Sequence, residues 1–195
     1  MEIEAVYNTP KNSRLKVLGI SNRGNCAFGT LAVFYEGKKK CSKLSTIRSN
    51  SGVWAEIPKG TKAKRLKIRV AIEFETGDFS ELFYFCGSLA EVLRLDTSNG
   101  TDFSGMFEGC SNLAGVPLLD TSDGTDFSGM FYGCSKLESA PLLDTGNGTN
   151  FSMMFYGCKS LSGVPLLDTG KGKNFRLMFY GCPGVPEWAK GLNVA

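Results

Sequence analysis

A chain of 195 residues carrying 22 Lys+Arg against 19 Asp+Glu, with 42% hydrophobic residues, has the balance of a folded protein. It has enough apolar surface to offset chain entropy, so disorder is excluded for most of its length. Histidine is absent, which removes the commonest general base, the commonest metal ligand and every His-dependent triad. No run of about 20 apolar residues occurs, so no membrane-spanning helix is expected. The opening residues, Met1 to Ala5, lack the basic and apolar regions of a secretory signal.

Residues 1–75 read as a small antiparallel β-domain. Alternating apolar stretches near 14–20, 26–35, 52–57 and 66–74 predict strands. Turn-forming Asn, Pro and Gly punctuate them at 8–10, 22–24, 50–52 and 58–60. This third is basic, with 15 Lys+Arg against 6 Asp+Glu, a net of +9. Residues 76–195 carry 7 against 13, a net of −6, and the two parts give the +3 of the chain. Lys38, Lys39, Lys40 and Lys43 form one basic patch, and Lys62, Lys64, Arg65 and Lys67 form another. Such patches serve as a solvated face, as a docking face for an acidic partner, or for nucleic acid. The interleaved aromatics of a single-strand binder are missing.

From residue 76 a repeat governs the chain. Cys86, Cys110, Cys134, Cys158 and Cys182 recur every 24 residues, as do Asp96, Asp120, Asp144 and Asp168. One unit, residues 95–118, reads LDTSNGTDFSGMFEGCSNLAGVPL, and a degenerate copy, DFSELFYFCGSLAEVLRL, precedes it at 78–95. A fixed period of this length predicts a solenoid, one turn per repeat, of about five turns over 76–182. Residues 183–195, with Trp188, are read as a C-terminal cap, and residues 1–75 as anchor and N-terminal cap. Ten of the fourteen phenylalanines fall in two columns, Phe79 to Phe175 and Phe83 to Phe179, the expected core. Residues 101–107 predict a helical or 3₁₀ turn capped by Thr101 or Asp102. Residues 113–119 predict a short strand with Val116 and Leu118 inward, weakened by Pro117. Gly100, Gly124, Gly148 and Gly172 read as turn positions with positive φ, and Gly109, Gly133, Gly157 and Gly181 as left-handed caps.

Three columns bear on chemistry. The cysteines, in line rather than converging, predict buried free thiols and no metal; whether Cys26 and Cys41 pair is left open. The aspartates predict Asx turns, with a weak Ca²⁺ site or a glycosidase-like carboxylate pair as alternatives. Tyr84, Tyr132, Tyr156 and Tyr180 follow the core phenylalanines, with Glu108 in the same column. This row is expected to be exposed, serving either as a binding platform for sugar rings or a protein, or as packing that shields the turn. Variable positions such as Asn112, Lys136, Asn147 and Lys171 are further recognition candidates. No catalytic residue, cofactor or metal is expected.

The motif MFxGCxxLxxVPL, in residues 106–118 and its copies, resembles the BspA-like leucine-rich repeats of bacterial and phage-associated surface proteins. The resemblance covers about half the chain. It implies a mainly β fold with short helical turns, an antiparallel β-domain followed by a right-handed leucine-rich-repeat solenoid. It implies non-catalytic recognition or adhesion, with glycan or surface protein as ligand, at a bacterial cell surface if a signal peptide has been trimmed. The alternative is a phage virion protein, its basic β-domain docked to a capsid or tail protein and its solenoid pointing outward.

Overall fold

The computed structural model describes residues 77–192 continuously and, before them, seven strands, each partly or wholly by backbone alone. These are β1 (Glu2–Asn8), β2 (Arg14–Leu18), β3 (Leu31–Glu36), β4 (Cys41–Lys43), β5 (Thr46–Ser49), β6 (Gly52–Glu56) and β7 (Arg65–Ile72). An eighth, β8 (Leu89–Arg94), lies in the degenerate first repeat. Two antiparallel sheets result, in the orders β4-β3-β7-β1-β8 and β2-β6-β5. The chain is thus mainly β. Among the described residues, the three-residue 3₁₀ turn Glu187–Ala189 is the only helix.

β1 holds the larger sheet together. Ile3, Ala5 and Tyr7 alternate inward and are fully buried, as period-2 patterning requires. β1 pairs with β7 along its whole length, Glu2 opposite Ala71 through Asn8 opposite Arg65. Its other edge pairs with β8, with Ala5 opposite Val92 and Tyr7 opposite Leu89. β8 therefore belongs to the N-terminal sheet and to the first repeat at once. One hydrophobic cluster runs from Ile3 and Leu66 through the repeat phenylalanines to Ala189.

Successive repeats join by backbone hydrogen bonds to the next copy. The N–H groups of Phe103, Gly105, Phe107 and Gly109 donate to the carbonyls of Asp126, Ser128, Met130 and Tyr132, at 2.9, 2.8, 2.9 and 2.7 Å. Between them, Met106, Glu108 and Cys110 donate three residues back, to Phe103, Gly105 and Phe107. With the Ser104 N–H donating to Asp102 Oδ1, every N–H from 103 to 110 is used, half along the stack and half locally. The expected helical turn is instead a chain of tight turns, because a helix would spend all its N–H groups within its own segment. The alternation needs left-handed backbone at two phases. Glycine supplies it at Gly105 (φ 58°) and Gly109 (φ 72°), whereas Met153 and Leu177 adopt it with side chains. The left-handed reading of Gly109, Gly133, Gly157 and Gly181 holds.

The second glycine set has a different reason. Gly100, Gly124, Gly148 and Gly172 do not have the expected positive φ. They pass beneath aromatic rings: a Cβ on Gly124 would sit 2.5 Å from Phe127 Cζ and 3.0 Å from Phe103 Cε2. Both phenylalanine columns stack face to face. Ring centroids are 5.7 Å apart from Phe103 to Phe127 and 5.6 Å from Phe131 to Phe155, with planes 7° and 2° apart. At the far end Trp188 meets Phe179 edge-on at 6.1 Å, and its indole N–H donates to the Val164 carbonyl at 3.4 Å.

The expected strand at 113–119 is reduced to isolated parallel bridges, such as Ser139 to Gly163. Val116 packs partly buried against the core as expected, but beyond Pro117 the phase is one residue off. Leu118 is 79% exposed, while Leu119 and Thr121 point inward. In an extended chain a one-residue slip exchanges the two faces. Thr121 fixes the phase here, its hydroxyl donating to the Asp144 carbonyl at 2.8 Å.

Candidate functional site

The tyrosine column is half-buried, not fully exposed; Tyr180 at the end is the open member. Tyr132 and Tyr156 stack at 4.6 Å with planes 3° apart, and Tyr156 and Tyr180 at 5.1 Å and 21°. Three tyrosines thus form one continuous aromatic strip. Tyr84 stands apart from it, because Glu108 occupies the intervening repeat. Tyr84 meets Phe85 edge-on at 4.6 Å, and the Lys16 ammonium lies 5.8 Å from its ring centroid. Partial burial and the neighbouring Glu81 carboxylate hold the Glu108 carboxyl above its ordinary range. Beside the strip, a cleft of about 380 Å³ is lined by Glu108, Ser128, Gly129, Tyr132, Ser152 and Met153.

The aspartate row makes the expected Asx turns. Asp96, Asp120, Asp144 and Asp168 each accept, through Oδ1, the N–H two residues on, at 3.1, 3.2, 3.2 and 2.9 Å. Ser98 is the chief cause holding the Asp96 carboxyl below its usual range. Asp102 and Asp126 cap the tight turns in the same way, to Ser104 and Ser128.

The sequence reading missed what lies beside this row. Leu118, Leu142 and Leu166 are 79%, 64% and 73% exposed, in line from repeat to repeat. Leu118 and Leu142, with Leu95, Leu119, Leu143, Asp96, Asp120 and Asp144, line an open groove of about 710 Å³, and Leu166 continues the leucine line one repeat beyond it. The signal was the adjacent Leu118-Leu119 pair and its copies, since neighbours in an extended chain face opposite ways. In the groove wall, the Thr97 hydroxyl is buried without a hydrogen-bond partner among the described residues.

The variable positions tie repeats together. Lys136 donates to Asn112 and Lys171 to Asn147, each at 2.7 Å, and Asn147 donates on to the Ser122 carbonyl. In the second basic patch, Arg65 pairs with Glu91 at 3.3 Å and Lys67 with Glu4 at 3.0 Å. Lys38, Lys39, Lys40, Lys62 and Lys64 lie outside the described residues, and of Lys43 only its place in β4 is described. Cys26 and the side chain of Cys41 also lie outside them.

The thiol column is free and inward-facing. Cys86, Cys110, Cys134 and Cys158 are buried and Cys182 is half-buried. The thiols of Cys110, Cys134, Cys158 and Cys182 donate to the carbonyls of Phe83, Phe107, Phe131 and Phe155 at 3.0–3.2 Å. Burial pushes the Cys86 and Cys158 thiols up to about 12. Unfolded thiols ionise near about 8.5. Between those values the folded chain holds more protons, so stability falls as pH rises through that window. Peptide-resolved labelling of the native protein is expected to modify the four buried thiols about a thousandfold more slowly than the denatured chain. Rapid labelling of all four without denaturant would contradict the buried column.

A family model described as "Mycoplasma protein of unknown function, DUF285" matches residues 77–188. The chain belongs to that family. Its repeats are of the BspA-like kind, and the match covers the whole stacked region, from the first tight turn to Trp188. No curated protein and no solved structure matches the chain. Among the described residues, no helix is long and apolar enough to cross a membrane.

Proposed function

We propose that this DUF285 chain is a non-catalytic recognition module. Its repeats form a right-handed leucine-rich-repeat solenoid of about five turns over 76–182. Residues 1–75 anchor and cap its start, and 183–195 cap its end. The ligand is a glycan or a surface protein, and the location a bacterial cell surface. The observation that carries this reading is the Tyr132–Tyr156–Tyr180 strip. A core repeat needs no three parallel phenols on its outer side. Stacked, partly exposed rings offer rigid apolar area and hydroxyls with little side-chain entropy to lose. The tight turns behind them, saturated with hydrogen bonds, keep the strip in place.

The test is binding of the full chain to glycan and surface-protein arrays, with Tyr156→Ala and the Tyr132→Ala/Tyr156→Ala pair beside wild type. Loss of the central ring is expected to cost about 2 kcal/mol, roughly thirtyfold in affinity, with the melting curve little changed. Array binding that survives the double substitution undiminished would remove the strip from the account.

The uneven charge favours a second reading, a phage virion protein. The +9 of residues 1–75 against the −6 of the remainder suits docking of the first part to an acidic capsid or tail protein while the repeats face outward. Recovery of the chain in banded virus particles, rather than in the cell envelope, would select this reading.

A further inference from the structure

The Leu118–Leu142 groove, its leucine line continued by Leu166, shares no lining residue with the cleft beside the tyrosine strip, and the recognition reading above does not use it. Single exposed leucines are ordinary, but a line of them, one per repeat, makes a continuous apolar rail. Asp120 follows Leu118 by two residues in extended chain, so a rail of carboxylates runs about 7 Å from the rail of leucines. Each of these aspartates commits Oδ1 to its own turn, and no donor among the described residues reaches Oδ2. Among the described residues, no lysine or arginine lines the groove.

We propose that this groove docks a basic amphipathic helix of a partner protein. Two features select that occupant. The first is charge: an apolar floor edged by unneutralised carboxylates favours a ligand with an apolar stripe beside a Lys/Arg stripe. The second is pitch. A helix returns a side chain to the same face every 5.4 Å or so, and neighbouring chain segments in this stack lie about 4.8 Å apart. A helix lying across the repeats sets one apolar and one basic residue against each repeat, in the i, i+3/i+4, i+7 pattern of helix-in-groove recognition. An extended strand, with a same-face spacing of about 6.7 Å, drifts out of step within two repeats.

The probe is a labelled synthetic helix of about four turns, with a leucine stripe beside a lysine stripe, titrated into the full chain by fluorescence anisotropy. A peptide of the same composition with the stripes scrambled is the control. The striped peptide is expected to bind and the scrambled one to bind at least about tenfold more weakly. L118Q/L142Q alters exposed side chains, leaves melting unchanged and weakens binding by about tenfold or more. D120N/D144N weakens binding at low salt and flattens its salt dependence. Y132A/Y156A leaves it unchanged, which separates this site from the tyrosine strip. The proposal is overturned by equal binding of both peptides, by an unaffected L118Q/L142Q variant, or by no binding at all. Sedimentation showing self-association that depends on Leu118 and Leu142 also overturns it, by making a second copy the occupant.

Discussion

Replacing Phe131 by alanine is expected to lower stability by about 3–5 kcal/mol, the range for deleting a fully buried aromatic side chain. Phe131 is 0% exposed. It sits between Phe107 at 5.4 Å and Phe155 at 5.6 Å, so its loss opens a cavity and ends two stacking contacts together. The gap cannot close by collapse. The backbone on either side is fixed by the bonds from Phe107 to Met130 and from Phe131 to Met154, each 2.9 Å. Urea unfolding of the full chain measures the change, and a melting temperature lower by about 10 °C is the thermal counterpart. A cost under about 1 kcal/mol would mean that the rings do not form a packed column.

Gly124→Ala is the second large effect, about 3 kcal/mol, at the upper end of what overpacking costs. The added Cβ meets Phe127 Cζ at 2.5 Å, the Thr121 carbonyl oxygen at 2.9 Å and Phe103 Cε2 at 3.0 Å. Rings locked in a stack have no free rotamer to turn into, and the carbonyl belongs to the backbone turn that Gly124 closes by donating to it. Gly115→Ala is the control, since a Cβ there meets nothing within 4 Å, and it is expected to cost under about 0.5 kcal/mol. Phe127→Leu shortens the main obstacle. In a double-mutant cycle, Gly124→Ala with Phe127→Leu should therefore cost less than the two changes summed. Strict additivity would place the strain elsewhere than on the ring.

Whatever recurs at one phase with one chemistry was legible in the sequence. The phenylalanine columns, the inward thiols, the Asx turns of Asp96 to Asp168 and the left-handed Gly109 set all follow from residue type and a 24-residue period. Features decided by contact with a neighbouring repeat were not legible. Gly124 lacks a side chain because of rings on its own and the preceding repeat, so a single unit gives it no distinctive mark. The inward phase of Thr121 depends on the Asp144 carbonyl of the next repeat, and from that phase come the exposure of Leu118 and the groove. Turn chemistry hid a further case. Residues 101–107 carry a capping Asp and two phenylalanines four apart, as a helix would, yet every second N–H is drawn away to the next copy. In the first third, the Ile3, Ala5, Tyr7 alternation marks β1, which lies ahead of the first stretch expected to be a strand. β8 was concealed because its residues also satisfy the repeat.

The tyrosine strip, the aspartate row and the leucine groove all depend on consecutive repeats lying in register 24 residues apart. Nuclear Overhauser contacts in the isotope-labelled full chain test this most directly. The account predicts contacts from the amide proton of Phe131 to the α-protons of Met154 and Phe155, repeated from Phe107 to Met130 and Phe131. A spectrum in which these amides contact only residues of their own repeat would contradict the stack, and with it every surface built upon it.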